Sequence, residues 1–289
     1  MAGLRGARLS GTGEAGFEPP EEIPWSALGP SFIDEWGHDE RGNMRGEHIE
    51  ICGQTGSGKS YLEATILQQR AEKWNTAEVV VVTKESDDSI PLLGWPIVSK
   101  FEDIRKYRQC VFWPQTSAQG EAREAFHEEQ IYALLSSLWV KDANVVLAFD
   151  EIGYIEELSR RVKKMVRMYW REGRSHHISL VAMKQRPVGI QRDQHSESRW
   201  KFVFAPAHPA DMEPFAELLG RRGDWQPVLE SLDQTRHEFV VRNTFTGDAY
   251  ISWVDTTLRP IPAQAQQHGR SAGEALSNKR AGDNQGYEG

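Results

Sequence analysis

His48-Ile-Glu-Ile-Cys52, Gly53-Gln-Thr-Gly-Ser-Gly-Lys-Ser60 and Tyr61-Leu-Glu-Ala-Thr-Ile-Leu-Gln-Gln-Arg70 follow one another without a break. The first is an apolar strand-like run, the second a glycine-rich turn, the third a helix-forming run. The turn matches G-x-x-x-x-G-K-[ST], and the strand before it and helix after it give the context that separates a phosphate cradle from a surface turn. The cradle is expected to comprise Gly53, Gln54, Thr55, Gly56, Ser57, Gly58, Lys59, Ser60 and Tyr61, with the amides of Gly56 to Ser60 pointing inward. The helix start adds positive dipole, and Lys59 is placed to reach the β- and γ-phosphates. Ser60 can set its hydroxyl on Mg²⁺. ATP and Mg²⁺ are the expected ligands.

A chain of 289 residues with 39% hydrophobic content and ten Trp can build a substantial, aromatic-rich core. Cys52 and Cys110 both fall in apolar runs without zinc spacing, and are read as buried free thiols. That usage suits a reducing cytoplasm. The formal net charge of −8 gives no general attraction for nucleic acid, so any such contact needs a local basic patch. The longest apolar runs, Val79-Val-Val-Val82 and Val145-Val-Leu-Ala-Phe149, are strand-sized and far short of a membrane span, and the first residues lack a secretory core. A soluble protein is expected.

Residues 1–24 and 259–289 are rich in Gly, Arg, Glu, Pro, Gln and Ser and are expected to be disordered, leaving residues 25–258 as one folded domain. Within it, strand-like runs (Val79 to Thr83, Cys110 to Trp113, Asn144 to Asp150, Ile178 to Met183, Lys201 to Phe204) alternate with helical ones (Glu121 to Trp139, Ile155 to Trp170, Asp211 to Leu219). Glu238 to Arg242 and Ala249 to Trp253 form a C-terminal hairpin. The alternation implies an α/β fold with a mainly parallel sheet covered on both faces.

Asn144-Val-Val-Leu-Ala-Phe-Asp-Glu151 is an apolar strand ending in paired carboxylates, about ninety residues beyond the phosphate loop. Asp150 is the candidate Mg²⁺ ligand, beside Ser60. Glu151 is the candidate base for a water attacking the γ-phosphate, which favours hydrolysis over transfer to a substrate hydroxyl. Gln185 closes the strand Ile178 to Met183 just before Arg186-Pro187, where a neutral amide can sense the γ-phosphate. Arg174, with Arg171 second, is the candidate cation supplied to a neighbouring subunit's phosphates. The bland alternative for either arginine is a helix-end contact with the macrodipole. His176 and His177 read as ordinary loop or core residues, one of which could touch nucleotide or DNA, and Lys84 and Trp36 as packing residues that could also neighbour a nucleotide.

Arg160, Lys164, Arg167 and Arg171 recur on one side of the run after Glu151, with Arg161 and Lys163 flanking, opposite an apolar stripe of Ile155, Leu158, Val162, Met165 and Tyr169. Contact between Arg160, Lys164, Arg167 and a phosphate backbone is one reading; a solvated face or an acidic neighbour is the other. No base-reading motif is visible, so DNA contact would be largely sequence-independent.

Three segments together resemble the FtsK/HerA superfamily of DNA-pumping ATPases, over residues 42–255 and especially its compact viral and phage genome-packaging branch. They are Gly46 to Ser60, Leu147-Ala-Phe-Asp-Glu151 and Gly173-Arg-Ser-His-His-Ile-Ser-Leu-Val-Ala-Met-Lys-Gln-Arg-Pro187. Lys184 stands where the family usually has Thr before Gln-Arg-Pro. The resemblance implies a RecA-like domain in a homo-oligomeric, hexameric ring, with ATP between subunits and double-stranded DNA in the channel. It further implies a capsid or portal-vertex partner, no membrane, and a place in the host cytoplasm or on the virion. The alternatives are a nucleotide-switched DNA-binding or assembly scaffold and a P-loop phosphotransferase.

Overall fold

The structure, a computed structural model, describes residues 17–37, 44–74, 76–85, 93–187 and 192–256. Its strands form a single ten-stranded sheet in the order β1-β10-β9-β8-β2-β7-β6-β3-β5-β4. The parallel part is built from β2 (His48–Cys52), β3 (Ala77–Val81), β4 (Ile97–Val98), β5 (Gln109–Phe112), β6 (Val145–Phe149), β7 (Ile178–Lys184) and β8 (Ser198–Phe204). β9 (Phe239–Asn243) and β10 (Ala249–Ser252) add the expected hairpin, with β9 antiparallel to both β8 and β10.

Side chains alternate across this sheet, and the two sets fill two cores. Ile49, Ile51, Val80, Val146, Ala148, Val181 and Met183 face α1 (Trp25–Gly37) and α2 (Lys59–Trp74). Val79, Val81, Leu147, Phe149, Leu180 and Ala182 face α3 (Glu121–Leu138), α4 (Ile152–Leu158) and α5 (Arg160–Glu172). The C-terminal strands are covered by α7 (Met212–Leu219) and α8 (Arg222–Ser231), with α6 (Arg192–Glu197) leading into β8. Cys52 and Cys110 are free and buried.

Two expectations need correction. Residues 17–24 were expected to be disordered with the rest of 1–24; instead β1 (Glu21–Glu22) pairs in parallel with β10, and Ile23 N–H donates to Ile251 O at 2.9 Å. Pairing at an otherwise open sheet edge satisfies backbone groups that composition alone leaves to solvent. Phe17 adds an edge-on contact with Trp225, ring centroids 5.3 Å apart. The remainder of that segment and the tail 259–289 lie outside the described residues. Second, the run Ile155 to Trp170 is two helices. Ser159 is extended (φ −167°, ψ 165°) and its Oγ accepts from Val162 N–H at 3.3 Å, capping α5. The break resets the helical register, so the buried stripe of α5 is Val162, Val166, Tyr169 and Trp170, while Leu158 and Met165 are only half-buried.

Helix α1 has no counterpart among the expected elements. Pro30 lies inside it, yet Trp25, Phe32 and Trp36 are each at most 3% exposed. Phe32 meets Trp200 edge-on at 4.9 Å and Trp25 meets Phe202 at 5.9 Å. Aromatic packing of this kind outweighs the hydrogen bond that proline removes.

Candidate nucleotide site

The phosphate loop leaves β2 at Gly53, whose N–H donates to Lys184 O at the end of β7 (3.1 Å), and Ser57 N–H returns to Gln54 O at 3.2 Å. Gly56 and Gly58 have φ of 81° and 99°, the left-handed region that side chains avoid. A Cβ on Gly58 would also stand 3.2 Å from His237 Cβ. Helix α2 starts at Lys59, with Leu62 N–H donating to Gly58 O at 3.0 Å, so the loop amides and helix dipole are aimed at one point. The buried Lys59 Nζ donates to Gln54 O at 2.7 Å. Burial lowers the pKa of its ammonium, against the pull of Cys52 and Glu151.

A cleft of about 370 Å³ opens at the carboxyl ends of the parallel strands. Thr55, Gly56, Gly58, Lys59, Ser60 and Tyr61 form one wall; Lys84, Asp150, Glu151 and Gln185 form the other. Residues from four separate stretches of sequence therefore meet, because β2, β7, β6 and β3 are neighbours in the sheet although far apart in the chain. Asp150 is 5% exposed, and Lys84 Nζ sits 2.5 Å from its Oδ2. Glu151 follows at the entrance to α4. Its pKa is raised by burial first and by the Asp150 charge second, while Lys84, Lys59 and a hydrogen bond with the Gln185 side chain oppose the shift.

The sequence reading left Lys84 between packing and nucleotide contact, and the structure puts it on this wall. The pairing of β3 with β6 (Val81 opposite Phe149) puts the residues just past each strand side by side, which no local pattern reveals. His237 was missed. It lies beyond Gly58 in a second pocket of about 370 Å³, bounded by Gly58, Tyr61, Phe204, Arg236, His237, Phe239 and Val254. His237 holds a left-handed φ of 53°. Trp36 lies outside the cleft: it is buried, donates to Glu47 O at 2.9 Å and stacks under the Arg70 guanidinium at 3.9 Å.

Arg171 and Arg174 are not in this cleft. They precede β7, whose far end reaches the phosphate loop, and seven strand residues separate the two ends by roughly 20 Å. Arg174 is exposed in a 3₁₀ turn (Gly173–His176), its guanidinium 5.7 Å from the ring of Phe245. His176 stacks on Trp139 at 4.3 Å, and His177 faces Asp142 at 3.5 Å. On α5, Arg160, Lys164, Arg167 and Arg171 are all exposed, and the flanking Arg161 pairs with Glu128 at 2.6 Å.

The class these features define is a RecA-like P-loop fold, with the phosphate loop and paired carboxylates at the carboxyl ends of a mainly parallel sheet. The chain matches no protein-family model and no curated protein. Among solved structures it is similar to the genome-packaging NTPase B204 of Sulfolobus turreted icosahedral virus 2 in complex with sulfate. That match has 14% identity and a TM-score of 0.54, over 74% of this chain and 97% of that one. B204 in complex with ATP-γS gives 14% identity and a TM-score of 0.52, over 74% and 98%. The cytoplasmic domain of the type VII secretion ATPase EccC from Thermomonospora curvata also matches, at 14% identity and a TM-score of 0.54, over 84% of this chain but 29% of that one. Among the described residues, no helix is long and apolar enough to cross a membrane.

Proposed function

We propose that this chain is an ATP-hydrolysing DNA translocase working as a homo-oligomeric ring, of the kind that packages a viral or phage genome. The observation that carries the reading is the convergence of Lys59, Ser60, Asp150, Glu151 and Gln185 on one cleft. Likeness to a virus packaging NTPase and the basic face of α5 supply its direction.

In this reading the loop amides and Lys59 hold the β- and γ-phosphates. The Ser60 hydroxyl and Asp150 carboxylate fit Mg²⁺, which takes few protein oxygens and completes its shell with water and phosphate. When bound, the ion neutralises charge on the transferring phosphoryl group. Glu151 takes the proton of the attacking water, and its raised pKa makes it a stronger base than a solvated carboxylate. Gln185, hydrogen-bonded to Glu151, orients that carboxylate and registers the γ-phosphate. The pocket beside Tyr61 and His237 receives the base and ribose. Arg174, too far from its own cleft, acts in that of the next subunit, with Arg171 behind it. Arg160, Lys164 and Arg167 lie along the duplex backbone. A capsid or portal-vertex component is the docking partner, in the host cytoplasm or on the virion.

The deciding experiment is ATP hydrolysis with and without long duplex DNA across a salt series. Stimulation by DNA that fades as salt rises is expected. Turnover indifferent to duplex DNA would point instead to a nucleotide-switched scaffold, and phosphate transfer to a small molecule to a phosphotransferase.

A further inference from the structure

Among the described residues, Lys84 is the one cation on the carboxylate wall of the cleft, facing Lys59 across it. Its ammonium lies 2.5 Å from Asp150 Oδ2, and that carboxylate is 5% exposed while the lysine side chain is 40% exposed. The backbone around it is pinned. Trp113 Nε1–H donates to Lys84 O at 2.8 Å, and Arg123 Nη2–H donates to Thr83 O at 3.0 Å. Arg123 also pairs with Glu85 at 2.6 Å. With those carbonyls held, the four-carbon stem of Lys84 carries its charge into the cleft. A lysine head is a compact point charge on a flexible stem, suited to leaving one partner for another without disturbing the main chain.

A divalent cation held by Asp150 would repel an ammonium 2.5 Å from the same carboxylate, so the two compete for its charge. We infer that Lys84 is a built-in counter-ion of Asp150 that the divalent cation must displace, an inference that rests on the nucleotide reading of this cleft. A half-buried ammonium on a nearly buried carboxylate lowers the appeal of that carboxylate to a lone metal ion. Phosphate oxygens arriving with the cation tip the exchange, since they add ligands to the metal and a new anion for the freed ammonium. Lys84 thereby couples metal entry to triphosphate entry. It is a positioning residue, acting through Asp150.

The test is a Mg²⁺ titration at fixed concentration of a fluorescent, non-hydrolysable ATP analogue, reading binding and not turnover. Wild-type protein must first bind the analogue at high Mg²⁺; failure there would remove the nucleotide reading itself, separately from the role of Lys84. In Lys84→Met, half-saturation is expected at about fivefold lower Mg²⁺, the scale of a partly exposed ion pair. Lys84→Gln, which keeps a hydrogen-bond donor beside Asp150 should the methionine variant not fold, is expected to shift the same way. Lys84→Arg keeps the competing charge and should titrate like wild type. Half-saturation in Lys84→Met or folded Lys84→Gln at the wild-type Mg²⁺ concentration, or above it, would overturn the inference.

Discussion

The two ends of the central sheet differ in what they complete. At the carboxyl ends of β2, β7, β6 and β3, one chain gathers a phosphate loop, two carboxylates, an amide and two lysines into a single cleft, with Lys59 and Asp150 nearly buried. At the opposite end, where β7 and β8 begin and β9 ends, Arg174 projects from a 3₁₀ turn beside Phe245, which is 55% exposed. Arg199 faces the same ring at 5.5 Å but is anchored by ion pairs with Glu35 and Glu47. The first end is a site within one molecule. The second presents a cation and an aromatic ring to whatever lies outside. Under the proposed function they are complementary halves: a phosphate-binding cleft and an arginine-bearing edge that meet only between copies.

The sharpest way to break this pairing is Arg174→Ala. Turnover is expected to fall about 10³-fold, the scale of a lost arginine acting on a transferring phosphoryl group, while nucleotide binding persists. Mixing Arg174→Ala subunits with Glu151→Gln subunits should restore part of the activity, because some mixed interfaces carry both intact residues. Hydrolysis by mixtures no better than by either variant alone would place both residues in one chain's site or neither in any.

Glu151→Gln comes next, expected to lose about 10²-fold or more in turnover and to keep nucleotide affinity. The same residue sets a pH limit. Burial and the Asp150 charge hold its pKa above the usual carboxylate range, so the proton-accepting form is lost as pH falls through that raised value. The pH–rate profile should show an acid limb above the range of solvated carboxylates. Lys84→Met removes a charge that lowers this pKa, so the limb should move to higher pH. A limb left in the ordinary range would mean that Glu151 is not the group limiting the reaction.

The phosphate loop, Asp150, Glu151 and Gln185 were legible because each closes a local pattern: glycines at spaced intervals, carboxylates at the end of an apolar run, an amide before Arg-Pro. Lys84 and His237 close no such pattern. They reach the cleft and its neighbouring pocket through strand pairing and through a left-handed turn that packs against Gly58, both long-range facts. The alternation of unbroken apolar runs with helical ones gave the parallel sheet covered on both faces, since a strand buried on both sides reads as a continuous apolar run. It did not give α1, where a proline and two glycines mask a helix held by tertiary aromatic contacts. Nor did it give the break at Ser159, where Ile155 and Leu158 before the cap and Val162 and Met165 after it keep the helical apolar spacing alive across it. Inside α3, His127 is buried in the core, held by Tyr154 Oη at 2.9 Å and Pro114 O at 3.1 Å. Periodicity counts apolar residues and passes over a satisfied polar one.

The exposed basic face of α5 belongs to neither end, and its removal tests whether the track lies there. Arg160, Lys164 and Arg167 changed together to Ala should make the salt dependence of DNA stimulation shallower by about three in logarithmic slope, if each meets one phosphate. The half-stimulating DNA concentration should rise about tenfold at low salt. ATP turnover without DNA should stay near wild type. An unchanged slope would move the DNA contact to another surface.

The smallest expected effect concerns Phe245. Its ring lies within cation–π range of both Arg174 and Arg199, contacts worth roughly 0.5–1 kcal/mol at an exposed position. Arg199 is fixed by two carboxylates and does not need the ring; Arg174, in a short turn, has more to gain from it. Phe245→Ala should therefore lower turnover by about two- to fivefold through looser placement of Arg174, with single-chain nucleotide binding and thermal stability close to wild type. Phe245→Tyr, which keeps the aromatic face, should restore the rate. If Phe245→Ala turned over at the wild-type rate while Arg174→Ala failed, the ring would be a bystander, and the turn alone would suffice to present the arginine.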